Sequence, residues 1–350
     1  MSSVDVVVPC YNYGRYLKGC VESVLSQRDV DVRVLIIDDA SSDDTPVVGE
    51  GLAANDTRVT FRRHAVNLGH IKTFNEGILD WAHAPYTLLI SADDALTPGS
   101  LARSVRVLDA HPEAGMVYGI ALVIKHDSEK IGNTDAAIPT YQIISGPQLL
   151  QHSCEWGIPA PSPTVVVRTS LQQRLGGYRA HLPHSCDMEM WMRFATQGPV
   201  GAIKDSQAYY REHGENMNLQ YCNRTLGDSR QQIDASREVF NHWCANLPAF
   251  GAWMITQRRR LCDEAYWHAG RALEEGDNEG AAMCLAFARE YDPAAWRSPA
   301  WWKFRTKALL GRRLWNNLAP WVQRVQRVRG RGASHQVKRL FGWWPDIAAT

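Results

Sequence analysis

The sequence predicts an α/β protein: a mostly parallel sheet with helices on both faces, followed by an α-helical C-terminal extension. Three observations predict it. Short apolar runs at Val4 to Val8, Val32 to Ile37, Val59 to Phe61 and Tyr86 to Ile90 alternate with helix-spaced apolar residues, which is the pattern of parallel strands joined by crossover helices. Two of these runs end in adjacent carboxylates, Asp38-Asp39 and Asp93-Asp94. Strand signals fade after about Leu226, and residues 226–290 read as helices.

The elements follow in order. Val4 to Val8 is β-branched and continuous, as expected of a strand covered on both faces. Pro9-Cys10-Tyr11-Asn12-Tyr13-Gly14 is a turn, and Leu17, Val21, Val24 and Leu25 mark the helix after it. Val32 to Ile37 is the second strand. The stretch Ala40 to Pro46 supplies turn residues, candidate N-caps and a proline suited to a first helical turn. After the short third strand, Asn67-Leu68-Gly69-His70 turns into a helix through Phe74, Ile78 and Leu79. Tyr86 to Ile90 is the fourth strand, and Leu101 to Leu108 is helical. Beyond Met116 the strand-like pieces are Ala121 to Ile124, Thr164 to Val167 and Ala208 to Arg211, with a helix over Asp187 to Ala195. Ala265 to Tyr291 resembles a single helix–turn–helix unit turning at Gly276-Asp277-Asn278.

At 350 residues the chain suffices for one large domain with an appendage, or for two domains. The expected division is an α/β catalytic domain over 1–225 and a helical extension over 226–350. A net charge of +1 gives no overall bias toward nucleic acid. No run reaches the roughly 18 apolar residues of a membrane span. The opening Met1-Ser2-Ser3-Val4-Asp5 carries no basic region, so no secretory leader is expected. Eight scattered cysteines without a Cys-x-x-Cys spacing argue against a zinc site or disulfide framework and fit a reducing cytoplasm.

The acidic pair Asp93-Asp94 is the centre of the site reading. In an open α/β sheet, ligands bind beyond the carboxyl ends of strands. Two carboxylates there repel unless a cation sits beside them. Mg²⁺ and Mn²⁺ prefer oxygen ligands and are commonly shared with substrate phosphates. The plainer alternative is an acidic loop leading into the helix that starts near Pro98.

Six pieces in order resemble the family 2 glycosyltransferases. They are Val6-Val7-Val8-Pro9-Cys10-Tyr11-Asn12, Ile36-Ile37-Asp38-Asp39-Ala40-Ser41-Ser42-Asp43-Asp44-Thr45, Asn67-Leu68-Gly69 with Asn75-Glu76-Gly77, Ser91-Ala92-Asp93-Asp94, Asp187-Met188-Glu189-Met190-Trp191-Met192-Arg193 and Tyr210-Arg211-Glu212-His213. The resemblance covers about the first two-thirds of the chain. It implies the GT-A fold and inverting transfer from a nucleotide-sugar donor, a UDP-sugar favoured, to a glycan or lipid-linked acceptor in cell-envelope polysaccharide synthesis. It also implies Mn²⁺ or Mg²⁺ as cofactor. Residue by residue, it puts Pro9, Tyr11, Asp39 and Asp93 on the donor, with Tyr11 stacking on the base and Asp39 recognising the base or ribose. Asp94 falls on the metal, completed by His213, and Asp187 on the general base. Asp38 is left to turn chemistry. Asp187 also reads as a helix N-cap, and Glu189 is the second choice for the base. The chain departs from the common pattern at Ser91, where another Asp is usual, and at Cys186, where Glu is usual.

The C-terminal third carries a different signal. Ten of the thirteen tryptophans lie after residue 240, and twelve Lys or Arg with no Asp or Glu lie between Trp296 and Pro345. Aromatics mixed with cations suit an interfacial segment on an anionic membrane, which would make the protein peripheral on the inner face of the cytoplasmic membrane. A helical tail folded on the rest of the chain, its charges solvated, is the alternative. Nucleic acid is not expected, because no motif supports it. Two rivals from other classes remain at this point. A catalytically inactive nucleotide-sugar-binding scaffold would account for Ser91 and Cys186. A nucleotidyltransferase would need a Gly-rich basic phosphate loop after the first strand, where this chain has Pro9-Cys10-Tyr11-Asn12.

Overall fold

The computed structural model describes residues 1–125, 138–157, 160–216, 226–244, 247–311, 314 and 340–343. They form two compact units. One takes in the described residues within 1–153, 157–213 and 338–350, and the other the described residues within 154–156 and 214–337.

The α/β unit begins with β1 (Ser3–Cys10), α1 (Gly14–Leu25), β2 (Asp31–Asp38), α2 (Thr45–Asn55) and β3 (Val59–Arg63). Next come α3 (His70–Asn75) and a π-helical continuation over Glu76–Trp81. After these follow β4 (Tyr86–Leu89), β5 (Ala95–Leu96) and α4 (Ser100–Ala110). The sheet grows outward as β3-β2-β1-β4, all parallel. Val4, Val6, Val7 and Val8 are fully buried, so β1 is covered on both faces as its unbroken apolar run requires. Val6 and Val8 pack with Leu17, Val21 and Val24 of α1 and with Leu101 and Val105 of α4. On the opposite face the backbone at Gly77 lies directly on β1: a Cβ there would stand 2.3 Å from Val7 Cγ1.

The second half of the sheet is mixed. It contains β6 (Met116–Ile124), β7 (Tyr141–Ile144), β8 (Val166–Arg168), β9 (Val200–Arg211) and a last strand β10 (Leu340–Phe341). Helices α5 (Gly146–Trp156), α6 (Thr169–Leu175) and α7 (Cys186–Gln197) accompany them. β8 runs antiparallel to both β4 and β6, while β6 and β9 are parallel. The expectation of a mostly parallel sheet therefore describes the first four strands and the β6–β9 pair only. β5, β7 and β10 all pair antiparallel, and all are strands of four residues or fewer. A one-turn 3-10 helix, Ser162–Thr164, precedes β8. The long segment from Lys125 to Pro163, which the sequence suggests shapes the acceptor side, falls partly outside the described residues.

The helical unit holds helices Gly227–Trp243, Ala249–Glu275 and Asn278–Tyr291, with a further helix over 299–311. Leu261, Ala265, Tyr266 and Ala269 pack against Cys284, Phe287, Ala288 and Phe304 in one core. The turn expected at Gly276-Asp277-Asn278 is present, with Asp277 capping the second helix through Gly280 N–H at 2.8 Å. Residues 340–343 stand with the α/β unit although they follow these helices in sequence. Most of the basic, Trp-rich tail lies outside the described residues.

Candidate active site

The first two strand ends are tied into one platform. Asn12 is held at φ 58°, a left-handed conformation that Asn tolerates better than most residues. Its N–H donates to Ser41 Oγ at 2.9 Å, and its Oδ1 accepts from the Ser42 N–H at 2.8 Å. The Gly14 N–H donates to Asp43 Oδ2 at 2.9 Å. Beside this lattice Tyr11 is 48 % exposed, so it is not a core residue and its ring is available to a ligand. Pro9 is buried in the strand just before it.

Asp38 and Asp39 divide their work. Asp38 is buried, accepts the Ser41 N–H at 2.9 Å and pairs with Arg63 Nε at 3.1 Å, which is turn chemistry. Asp39 Oδ1 accepts from the Leu68 N–H at 2.7 Å and Oδ2 from the Gly69 N–H at 2.9 Å. His64 Nδ1 lies 2.7 Å from the same Oδ1, and His64 Nε2 lies 2.8 Å from Glu76 Oε2. Asp39 thus organises the Asn67-Leu68-Gly69 loop around itself. His64 and Glu76 were not singled out from the sequence. Glu76 sits inside the Asn75-Glu76-Gly77 piece, but nothing local marks His64. Asn75 has its own role: its amide grips the backbone of Tyr178 through bonds of 2.7 and 3.0 Å.

The acidic pair is placed by a two-residue strand. β5 pairs Ala95 with Tyr209 and Leu96 with Ala208, which sets Asp93 and Asp94 against the end of β9. Asp94 Oδ1 accepts the Arg211 N–H at 2.9 Å, and Arg211 Nε donates to the Asp93 carbonyl at 2.9 Å. His213 Nε2 lies 3.1 Å from Asp93 Oδ2. The His213 ring stacks on Tyr16 at 5.2 Å and meets Tyr13 edge-on at 5.3 Å. Arg15 and Arg211 also lie over Tyr16, at 4.6 and 4.8 Å. Burial, reinforced by the charge of Asp93, pushes the Asp94 pKa well up, against the Arg211 N–H and guanidinium.

That electrostatic strain bears on a metal. Among the described residues no three His, Cys, Asp or Glu side chains are grouped to hold an ion by themselves. Mg²⁺ and Mn²⁺ need no such cage, because one or two carboxylates with substrate phosphates commonly suffice. Two adjoining buried carboxylates, one destabilised by the other's charge, fit such a cation, with His213 beside them. Asp93, Asp94 and His213 are the residues that could hold it.

Asp187 lies in the first turn of α7, whose N-cap is Ser185. It is not the cap itself, but a carboxylate in the first turn still complements the helix dipole. It is half-buried, and its Oδ2 accepts from Ser162 Oγ at 2.9 Å. Tyr210 ties the two acidic regions together. Its phenol pKa is raised by burial and then by the charges of Asp94, Asp93 and Asp187. Glu189 is different: it is wholly buried and bonded to Arg193, itself buried, at 2.8 Å. Arg193 in turn donates to the carbonyls of Leu175 and Gly177. Glu189 therefore braces the α6–α7 connection. Cys186 is buried as well, and burial followed by the Asp187 charge pushes its thiol pKa well up. Ser162 and Arg211 were missed in the sequence, although Arg211 stands within the Tyr210-Arg211-Glu212-His213 piece.

A mixed α/β sheet with flanking helices and three further helices in a second unit is a GT-A-like fold. Residues 5–169 match the model of Glycosyl transferase family 2, so this part of the chain is a family 2 glycosyltransferase segment. The match takes in Tyr11, Asp39, Asp93 and Asp94 and ends before Asp187 and His213. An uncharacterized glycosyltransferase of Nostoc sp. is 25 % identical over 255 residues, covering 71 % of this chain and 77 % of that one. An uncharacterized glycosyltransferase of Haemophilus influenzae is 24 % identical over 229 residues, covering 62 % and 68 %. Among solved structures, S. aureus TarS in complex with UDP-GlcNAc has TM-score 0.55 at 15 % identity, covering 84 % of this chain and 91 % of that one. The mannosyltransferase PcManGT of Pyrobaculum calidifontis, in complex with GDP-Man and Mn²⁺, has TM-score 0.53 at 18 % identity, covering 88 % and 79 %. At these identities the two structures establish the shared fold.

Proposed function

We propose that this glycosyltransferase moves a sugar from a nucleotide-sugar donor, a UDP-sugar favoured, to a glycan or lipid-linked acceptor, with inversion, in cell-envelope polysaccharide synthesis. The observation that carries the reading is the meeting of Asp93, Asp94, Arg211 and His213 at the end of β9. Tyr11 offers an aromatic face to the base. Asp39 shapes the loop beside it and reads the base or ribose. Asp93 binds the donor, and Asp94 with His213 holds the cation. A bound Mn²⁺ or Mg²⁺ supplies positive charge to the departing diphosphate. Asp187 accepts the proton of the acceptor hydroxyl as that oxygen bonds to the anomeric carbon and the bond to the diphosphate breaks. One displacement with one base inverts the anomeric centre.

The test is a thermal-shift screen of nucleotide sugars with and without Mn²⁺, followed by release of nucleoside diphosphate from whichever donor binds. The expected result is Mn²⁺-dependent stabilisation and turnover, both lost in Asp94→Ala. Full turnover in excess EDTA would sink the metal role. Binding without any turnover would favour the inactive scaffold.

The reading extends to a cytoplasmic enzyme docked on an anionic membrane. Exposed Trp267, Trp296 and Trp302 support it, with Arg271 over Trp267 and Arg297 over Trp296. Such pairs put an apolar ring and a cation at one surface, as membrane interfaces favour. Among the described cations of the tail, Lys307 is instead paired with Glu274 at 2.7 Å. Among the described residues no helix is long and apolar enough to cross a membrane. Co-sedimentation of the full chain with liposomes should require anionic lipid and weaken with salt. Equal binding to neutral and anionic liposomes would remove the membrane from the reading.

A further inference from the structure

The C-terminal strand is the feature of the α/β unit that the proposed chemistry leaves unused. β10 pairs antiparallel with β6, Leu340 opposite Leu122 and Phe341 opposite Ala121. β9 covers the other edge of β6 at the same residues. β10 therefore lies on the edge that β8 occupies at Met116 and Val117. Between the two, Thr164 fastens the edge: its Oγ1 accepts the Gly119 N–H at 3.2 Å and donates toward the Gly119 and Pro161 carbonyls at 3.1 and 2.8 Å.

Three contacts hold the segment down. Phe341 meets Tyr210 edge-on at 5.6 Å. Trp343 stacks flat on His152 at 3.9 Å and 11°, and burial keeps that imidazole neutral, with its pKa pushed down to about 4. Between them Gly342 adopts φ +132°, a backbone conformation that disfavours any side chain. A Cβ there would stand 3.0 Å from the Gly119 carbonyl and 3.3 Å from Pro161 Cδ. Pro161 leads directly into Ser162, whose hydroxyl bonds Asp187. The line of contact runs from Gly342 to Pro161, to Ser162, to Asp187.

We propose that residues 340–343 are positioning residues for the general base: they brace the Pro161–Thr164 turn, so that Ser162 holds Asp187 aimed at the acceptor hydroxyl. The proposal rests on the reading of Asp187 given above. The brace works through geometry. A misplaced reacting group loses rate steeply with small displacements, and a single hydroxyl-to-carboxylate bond can aim Asp187 only if the turn that carries the half-buried Ser162 is itself held in place.

The experiment uses the full chain, with UDP-GlcNAc and GDP-mannose as probes in the presence of Mn²⁺. Ser162→Ala, Gly342→Val and the double variant are compared for nucleoside diphosphate release and for donor affinity. Each single variant should lower turnover about ten- to a hundredfold, with donor affinity within about twofold. The double variant should fall little below the worse single one, because both act on one element. Ser162→Thr, which keeps the hydroxyl, should recover much of the rate. Losses that multiply, donor affinity that falls with turnover, or a Gly342→Val variant at full rate would each overturn the proposal. Hydrogen exchange separates this from failure of the functional reading. The Thr164 amide, bonded to the Pro161 carbonyl at 2.9 Å, should exchange faster in Gly342→Val while β1 amides do not change. Unchanged exchange at Thr164 rejects the brace even if neither probe proves to be a donor.

Discussion

The two halves of the α/β sheet are assembled in different ways. From β3 to β1, the strand-end loops bond to the loop of the neighbouring βα unit. Asn12 reaches Ser42, 30 residues on, and Asp39 reaches Gly69, also 30 residues on. From β8 to β5, closure comes from far along the chain. Asp94 meets Arg211 across 117 residues, and Asp93 meets His213 across 120. In the proposed function the first half carries Tyr11 and Asp39 toward the base and ribose of the donor, and local sequence nearly dictates it. In the same proposal Asp93, Asp94, His213 and Asp187 gather in the second half, through pairings that no local pattern announces. A change in the first half should therefore act on donor loops and stability, and a change in the second on the chemical step.

The sharpest way to break this contrast is Asp187→Asn. Asparagine keeps the shape and the bond to Ser162 but cannot take a proton. Turnover should drop about 10²–10⁴-fold, the usual worth of a general base, while donor affinity, in which Asp187 has no proposed part, stays within about twofold. A variant turning over near the wild-type rate would move the base elsewhere. Glu189 is a poor successor, because its carboxylate is sealed in an ion pair with Arg193. Removing one partner of a buried pair typically leaves an uncompensated charge and destabilises the fold.

The same contrast explains what could be read in the sequence. The β1, β2 and β4 strands announce themselves as unbroken apolar runs, because a strand covered on both faces must be apolar throughout. Asp38-Asp39 and Asp93-Asp94 stand out because they end such runs. The second half is harder. β5 has two residues and no periodicity. β7 offers only Tyr141–Ile144. β9 reads from Ala208 but begins at Val200, because Lys204, Asp205 and Ser206 interrupt its apolar pattern where the pairing with β6 shifts register. β8 looks like any other short strand, and its antiparallel direction is set by partners on both sides. β10 follows a stretch so basic that its composition points to solvent or lipid, yet Phe341 and Trp343 turn back onto the sheet. Ser162 is one hydroxyl in a proline-rich segment. Its importance comes from α7, 25 residues later in the chain.

A smaller effect tests the donor platform itself. His64 can donate to Asp39 and to Glu76 at once only as the imidazolium, since a neutral ring carries one N–H. Burial alone would lower its pKa, but the bonds to Asp39 and Glu76 outweigh that and raise it above the ordinary 6.5. The charged groups facing it are those two carboxylates, with Arg62 bonded to the far oxygen of Glu76 at 3.1 Å. Because the folded-state pKa lies above the unfolded one, the imidazolium stabilises the fold in full below about pH 6.5. That contribution is lost as pH rises through the higher folded-state value. Urea unfolding of the wild type and of His64→Gln should therefore differ most at about pH 6, by on the order of 1 kcal/mol, the net worth of such a bond. The gap should narrow as pH rises through the folded-state pKa, above which the wild-type ring is neutral and, like glutamine, can still donate one bond. A gap that stays constant, or widens as pH rises, would show that His64 serves only as packing and that Asp39 needs no cation to hold the Leu68–Gly69 loop.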